Sequence, residues 1–377
     1  MNKKAIAILG GIFILIVGTL GFIIWSRSSK DDTTPTEETP IVVEEPTEVE
    51  EDPIEETPST GQATKLTDEA VITPALFFQG DGIAYFNRQG QLFRTNMSVT
   101  GDTVLLSDKT ELTVPSKTNI SRILWPAVGN SYIAESGSGI SKQWSYYNPD
   151  TGNYIDLPSQ VKSLDWVPSG NKILFVWVGS DGKATLNISD PDTNNYQMLT
   201  DLYEPDNEII VSPDGQTILF YRNQISDQSK NTINSVSIDG KTFKSVVRDG
   251  YNKGVLWSPD SKKFLFSRLD PSTQKFNLWV SDITSGEIQS LGVATSPSKA
   301  VWAKDSSYIV AGVPTSGIAG QGVTTDSVYK IEISGGTKTE FPPGTDVDVS
   351  EPFLSLNGSI LFFRNNQDGS LYYHMLQ

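Results

Sequence analysis

The chain contains no cysteine and a single histidine, His374. The first absence excludes a disulfide framework, thiolate metal sites and thiol catalysis. The second leaves a histidine triad or a histidine metal centre without partners, so His374, in the last strand, reads as a packing or surface residue. No P-loop, G-x-G-x-x-G or G-x-S-x-G occurs. Beyond residue 30 no long stretch repeats its apolar residues with the helical period, so helices should be scarce. No cofactor and no metal are expected.

Positive charge is also in short supply. Of a net charge of −16, residues 31–62 carry −12, residues 1–30 carry +4, and the remainder is mildly acidic. That balance argues against a nucleic-acid partner.

What is present falls into four parts. Residues 5–25, "AIAILGGIFILIVGTLGFIIW", hold no charge. At about 1.5 Å per residue they are long enough for a bilayer core, with Trp25 placed as an interfacial aromatic. No small-residue cleavage site follows. The expectation is a transmembrane anchor at 5–25 behind a cytoplasmic stub at 1–4. Lys3 and Lys4 then favour an N-in orientation, with the bulk of the chain outside the cytoplasm. Residues 26–62 form an acidic Pro/Glu/Thr linker with almost nothing to bury, expected to be disordered. Residues 63–377 form the main domain.

That domain repeats itself. "VLWSPDSKKFLFSR" at 255–268 has counterparts beginning at 75, 122, 163, 208, 299 and 352. The residues before each turn are Phe78, Trp125, Trp166, Val211, Trp257, Trp302 and Ser355, spaced by 47, 41, 45, 46, 45 and 53. A period of this size with four short strands per unit is the β-propeller pattern. Aromatic and β-branched residues fill the strands; Gly, Asp, Asn and Ser fill the gaps. The seventh unit stops after its third strand, at "SLYYHMLQ", whereas "ATKLTD" at 63–68 resembles the fourth-strand ends "QMLTD" and "KSVVRD". The N-terminal strand should therefore complete the last blade and remove an open edge. The fold class is all-β: a seven-bladed propeller, with six blades as the alternative, preceded by one transmembrane helix.

The segments "SPDG", "WSPDSKKFLFS" and "LWVSDITSG" resemble the WD40-like repeats of the TolB-type β-propeller family, over residues 75–376. The resemblance implies the fold and is nearly silent on activity, because propellers host unrelated functions.

Candidate chemistry is sparse. "DPDTNNYQMLTD" at 190–201 has the acidic spacing of a calcium loop but lacks Gly at its sixth position and Glu at its twelfth, so it reads as a hairpin turn. The recurrent tryptophans read as packing between blades. Arg122, Lys162, Glu208, Lys253, Lys299 and Glu351 stand three or four residues before the turn markers, where first strands begin at one face of the ring. They form a candidate ligand-binding rim. The expected function is a membrane-anchored, extracytoplasmic module that binds or scaffolds a protein, peptide or envelope glycan. The alternative is a glycosidase or lyase using Glu208, Glu351 or Asp165 in the central funnel.

Overall fold

A run such as "FLF" at 264–266 alternates nothing, yet it forms a strand. The reason is burial on both faces. In Lys263–Leu269, Phe264 and Phe266 pack against the preceding unit while Leu265 packs against the next. A strand sandwiched in this way needs an unbroken apolar run rather than an alternating one.

The computed structural model describes residues 61–77, 80–137, 142–222, 232–248 and 254–377. All described residues fall in the unit Pro53–Gln377, and Met1–Asp52 lies wholly outside them. Among the described residues this unit forms seven four-stranded antiparallel sheets, each in simple meander order. Six blades are continuous, at 71–112, 120–156, 161–202, 207–247, 255–290 and 300–341. The seventh takes three strands from 349–375 and its outer strand from Thr64–Lys65, which pairs Thr64 with Tyr373 and Lys65 with Tyr372. The first strand of blade 1 touches those of blades 2 and 7, so the ring closes. Seven blades replace the six-bladed alternative.

The apolar core is correspondingly divided. Among the described residues seven clusters of buried residues occur, and each is drawn from two neighbouring blades. The recurrent tryptophans lie in these wedges and add a polar tie. The indole N–H of Trp166 donates to Leu124 O at 2.9 Å, that of Trp257 to Ile210 O at 3.4 Å, and that of Trp302 to Leu256 O at 3.3 Å. In each case a buried aromatic satisfies the first-strand backbone of the blade before it.

The turns are tied together too. Ser261 and Ser306 hold the left-handed position (φ 61° and 62°) that Gly215 fills in blade 4. Their hydroxyls accept the Asp214 and Asp260 backbone N–H groups of the preceding blades, at 2.9 and 3.1 Å. A contact between blades offsets the strain that a Cβ brings there.

Two expectations require correction. The first strands pair so that Leu76 opposes Ile83 and Leu354 opposes Leu361, as Trp257 opposes Phe264. Leu76 and Leu354 therefore hold the marker position in blades 1 and 7, in place of Phe78 and Ser355. Phe78 itself lies outside the described residues. The fold class also placed a transmembrane helix before the ring. Among the described residues no helix is long and apolar enough to cross a membrane, and 5–25 lies outside them, as do 1–4 and the linker up to residue 60. Among the described residues the fold is the propeller. The membrane localisation and N-in orientation that depended on the helix are withdrawn with it.

Candidate functional site

The first strand of every blade is an edge. Its channel side has no strand to bond, so its backbone groups need other partners. Polar side chains of neighbouring blades supply them. Thr73 Oγ1 accepts Ile123 N–H at 3.0 Å, Ser163 Oγ accepts Ile209 N–H at 3.1 Å, and Asp165 Oδ2 accepts Val211 N–H at 2.8 Å. Glu351 Oε2 accepts Thr73 N–H at 3.0 Å, closing blade 7 onto blade 1. Thr73 and Glu351 both sit at register shifts with positive φ, 44° and 49°. Such bulges re-aim a side chain out of the strand.

Above this stitching a mixed-charge cluster forms. Arg122 Nε and its terminal nitrogen reach Glu135 Oε2 at 3.1 and 3.0 Å. Lys142 Nζ lies 3.4 Å from Glu135 Oε1 and 3.9 Å from Glu208 Oε1. Glu208 Oε2 in turn accepts the Ser163 hydroxyl at 2.9 Å. Blade 2 is thereby joined to blade 4 across the first strand of blade 3. Both cations lie over the ring of Trp144, at 5.4 Å for Arg122 and 4.7 Å for Lys142. Trp144 is buried beneath them, while the Arg122 side chain stays 45% exposed.

Two carboxylates in this region are held above their ordinary range. Burial pushes Asp165 up to about 6, against the opposing pull of the Val211 and Trp166 N–H groups and the Arg122 charge. Asp165 keeps some accessible surface, so it is enclosed by the ring rather than sealed from water. Burial raises Glu351 as well, opposed by Arg364, the Thr73 N–H and Arg122. Arg122 thus acts on both acids. The Asp165 shift has a sign that can be checked. A native carboxyl titrating near 6 binds its proton more tightly than the unfolded one, so its contribution to stability falls as pH rises from about 4 to about 6. Asp165→Asn should flatten that part of the profile, seen as a smaller change in Tm between pH 4 and pH 7 than in the wild type.

The six rim residues part company. Arg122, Glu208 and Glu351 meet the channel cluster. Lys162 stands one residue out of step with them; it is exposed and donates to Ser159 O at 2.7 Å. Lys299 is buried between Asp326 and Asp348 of blades 6 and 7. Lys253 lies outside the described residues. Glu135, Lys142 and Ser163 were not singled out by the sequence. Asp165 carried a signal: its register equivalents are Ala75, Leu124, Ile210, Leu256, Val301 and Phe353, all apolar.

The other candidates resolve structurally. His374 is fully buried, its Nε2 donates to Phe341 O at 3.1 Å, and burial lowers its pKa. In the loop at 190–201, the Asp190 carboxylate accepts Lys172 at 2.8 Å and Asn195 at 2.7 Å, within a hairpin turn. Among the described residues no three His, Asp or Glu side chains gather in a way that could hold a metal ion.

Comparison with known proteins places the fold. No family model matches the chain, and no curated protein does. Solved structures do. An oligogalacturonate lyase from Vibrio parahaemolyticus matches with a TM-score of 0.59 at 11% identity, covering 85% of this chain and 92% of that one. An oligogalacturonate lyase in complex with manganese matches with a TM-score of 0.58 at 13% identity, over 85% and 97%. The β-propeller domain of Cps50 (Swd1) from Myceliophteria thermophila matches with a TM-score of 0.57 at 9% identity, over 84% and 100%. At such identities the likeness is one of fold: this chain is similar to seven-bladed β-propellers.

Proposed function

We propose that this propeller, with its TolB-like repeats, is a protein-binding module whose partner docks at the channel mouth over blades 2 to 4. The observation that carries the reading is the Arg122–Glu135–Lys142–Glu208 relay on the Trp144 ring. Two cations and two carboxylates side by side suit a peptide or loop of mixed charge better than a uniformly anionic ligand. Arginine beside aromatic rings is the composition enriched where proteins meet. A glycan would need an open aromatic face to stack on, and here the cations cover Trp144.

The test is the double variant Arg122→Gln/Lys142→Gln, with Lys304→Gln, in the exposed turn of blade 6, as control. A partner identified by crosslinking in the native source is then titrated in purified form. Binding should weaken at least about tenfold, or about 1.4 kcal/mol, in the double variant and stay unchanged in the control. Equal affinity for wild type and double variant would remove the reading.

The second reading is a glycosidase or lyase. It draws on the raised Asp165 and Glu351 carboxyls, since perturbed acids collect at active sites. Against it, both Asp165 oxygens and one Glu351 oxygen already accept backbone N–H groups. Two structural neighbours are oligogalacturonate lyases. Incubation with oligogalacturonates and mass spectrometry of the products decides the matter: turnover abolished in Asp165→Asn would favour the enzyme.

A further inference from the structure

The wedge between blades 1 and 2 differs from the other six. One position on the second strand of each blade faces the next blade. It holds Ile133, Leu174, Leu219, Leu265, Val310 and Phe362 in blades 2 to 7, each buried in the cluster shared with the following blade. In blade 1 the same position is Ala84, and its first-strand partner is Ala75. Two truncated side chains facing one another leave the wedge unfilled.

The result is a cavity of about 440 Å³. Phe77, Trp125 and Tyr132 line it, and Arg94 stands beside them. Trp125 occupies the marker position but is only half-buried, whereas Trp166, Trp257 and Trp302 are buried. Its indole N–H reaches Thr73 O at 3.0 Å, displaced along the blade 1 strand by the bulge at Thr73. The hydroxyls of Tyr132 and Tyr154 bond each other at 2.8 Å. With those polar tips occupied, the walls offer ring faces and methyl groups. Arg94 is exposed, lies 4.2 Å from the Phe77 ring centroid and, among the described residues, pairs with no carboxylate.

From this geometry we infer that the blade 1–blade 2 wedge is a binding site for a flat-ringed hydrophobic organic anion, its ring between Trp125 and Ala84 and its carboxylate on Arg94. The volume suits a two-ring ligand, and an apolar pocket with one placed charge is the usual form of a small-molecule site. Besides the tyrosine hydroxyls of Tyr132 and Tyr147, the polar side chains of the lining are Arg94, Thr113, Asn130 and Ser131, and the other walls are apolar. The site is separate from the channel cluster, and either stands without the other.

Calorimetric titration of the full chain with naphthalene-2-carboxylate and with the neutral 2-naphthalenemethanol tests it. The wild type should bind the acid about tenfold or more tighter than the alcohol. Arg94→Gln should bring the two within about twofold, because only the charge contact is lost. Ala84→Leu restores the side chain that blades 3, 4 and 5 carry there and should weaken both ligands at least about tenfold. Arg122→Gln/Lys142→Gln should leave both titrations unchanged. The inference fails if the wild type binds neither probe at millimolar concentration, if Ala84→Leu binds as the wild type does, or if the acid preference survives Arg94→Gln. Should Ala84→Leu not fold, the Arg94→Gln comparison decides alone.

Discussion

Lys299→Met is expected to cost about 3–5 kcal/mol of stability, the range for removing one member of a buried ion network. The ammonium group contacts Asp326 Oδ2 at 2.6 Å, Thr324 Oγ1 at 2.9 Å and Val349 O at 3.1 Å, and it is also bonded to Asp348 Oδ1. Lys299 is 5% exposed, Asp326 2% and Asp348 1%. Without the cation, two carboxylates would share a dry site. Their remaining donors are the Val349 N–H and Thr324 hydroxyl for Asp326, and the Thr324 N–H for Asp348. Methionine preserves most of the volume, so the loss is electrostatic rather than a cavity. Adding Asp348→Asn should return part of it, because one buried carboxylate then remains instead of two. Urea unfolding of the single and double variants gives both numbers. A loss below about 1 kcal/mol in the single variant would show that the three groups behave as surface charges do.

The second large effect concerns ring closure. A chain beginning at residue 69 is expected to be less stable than one beginning at residue 61 by roughly 5 kcal/mol. The residues removed supply the Ala63 N–H to Pro343 O bond at 2.7 Å, the Leu66 N–H to Leu371 O bond at 2.8 Å, the Thr67 hydroxyl that accepts Leu371 N–H at 3.0 Å, and the Thr64–Lys65 pairing. Bonds of this kind contribute about 1 kcal/mol each. Partial burial of Leu66 against the blade 7–blade 1 wedge adds about 1–2 kcal/mol. The Lys65–Asp368 pair at 3.0 Å is exposed and contributes little. Thermal unfolding and protease sensitivity of the two chains would measure the difference, and equal stability would show that the seventh blade does without its outer strand.

The wheel was legible because its punctuation is physical. Serine, proline, aspartate and glycine mark the turn, and a doubly buried second strand must read as an apolar run, so "WSPDSKKFLFS" announces both at once. The register was clear in blades 2, 3, 5 and 6, where tryptophan fills the marker, and slipped in blades 1 and 7, where Leu76 and Leu354 stand among other apolar residues. The closing strand was visible because blade 7 visibly lacked one. The site was less legible. Arg122, Glu208 and Glu351 could be placed by their distance from the turn. Lys142 could not, because it belongs to the connection between the second and third strands of blade 2 and reaches a carboxylate two blades away. Nothing in spacing announces a contact made over the top of an intervening strand. Lys299 looked like its rim counterparts in sequence; it is Asp326, from another strand, and Asp348, from the connection into blade 7, that enclose its ammonium group.

The division of the apolar core into seven wedges has a consequence for how such a molecule can change. Damage or novelty at one seam is quarantined there: substitutions in seams that share no blade should combine as independent costs, while two within one seam should interact. A single seam can therefore be hollowed, as Ala75 and Ala84 hollow theirs, and the molecule can trade a little cohesion for a new ligand without renegotiating the remaining six.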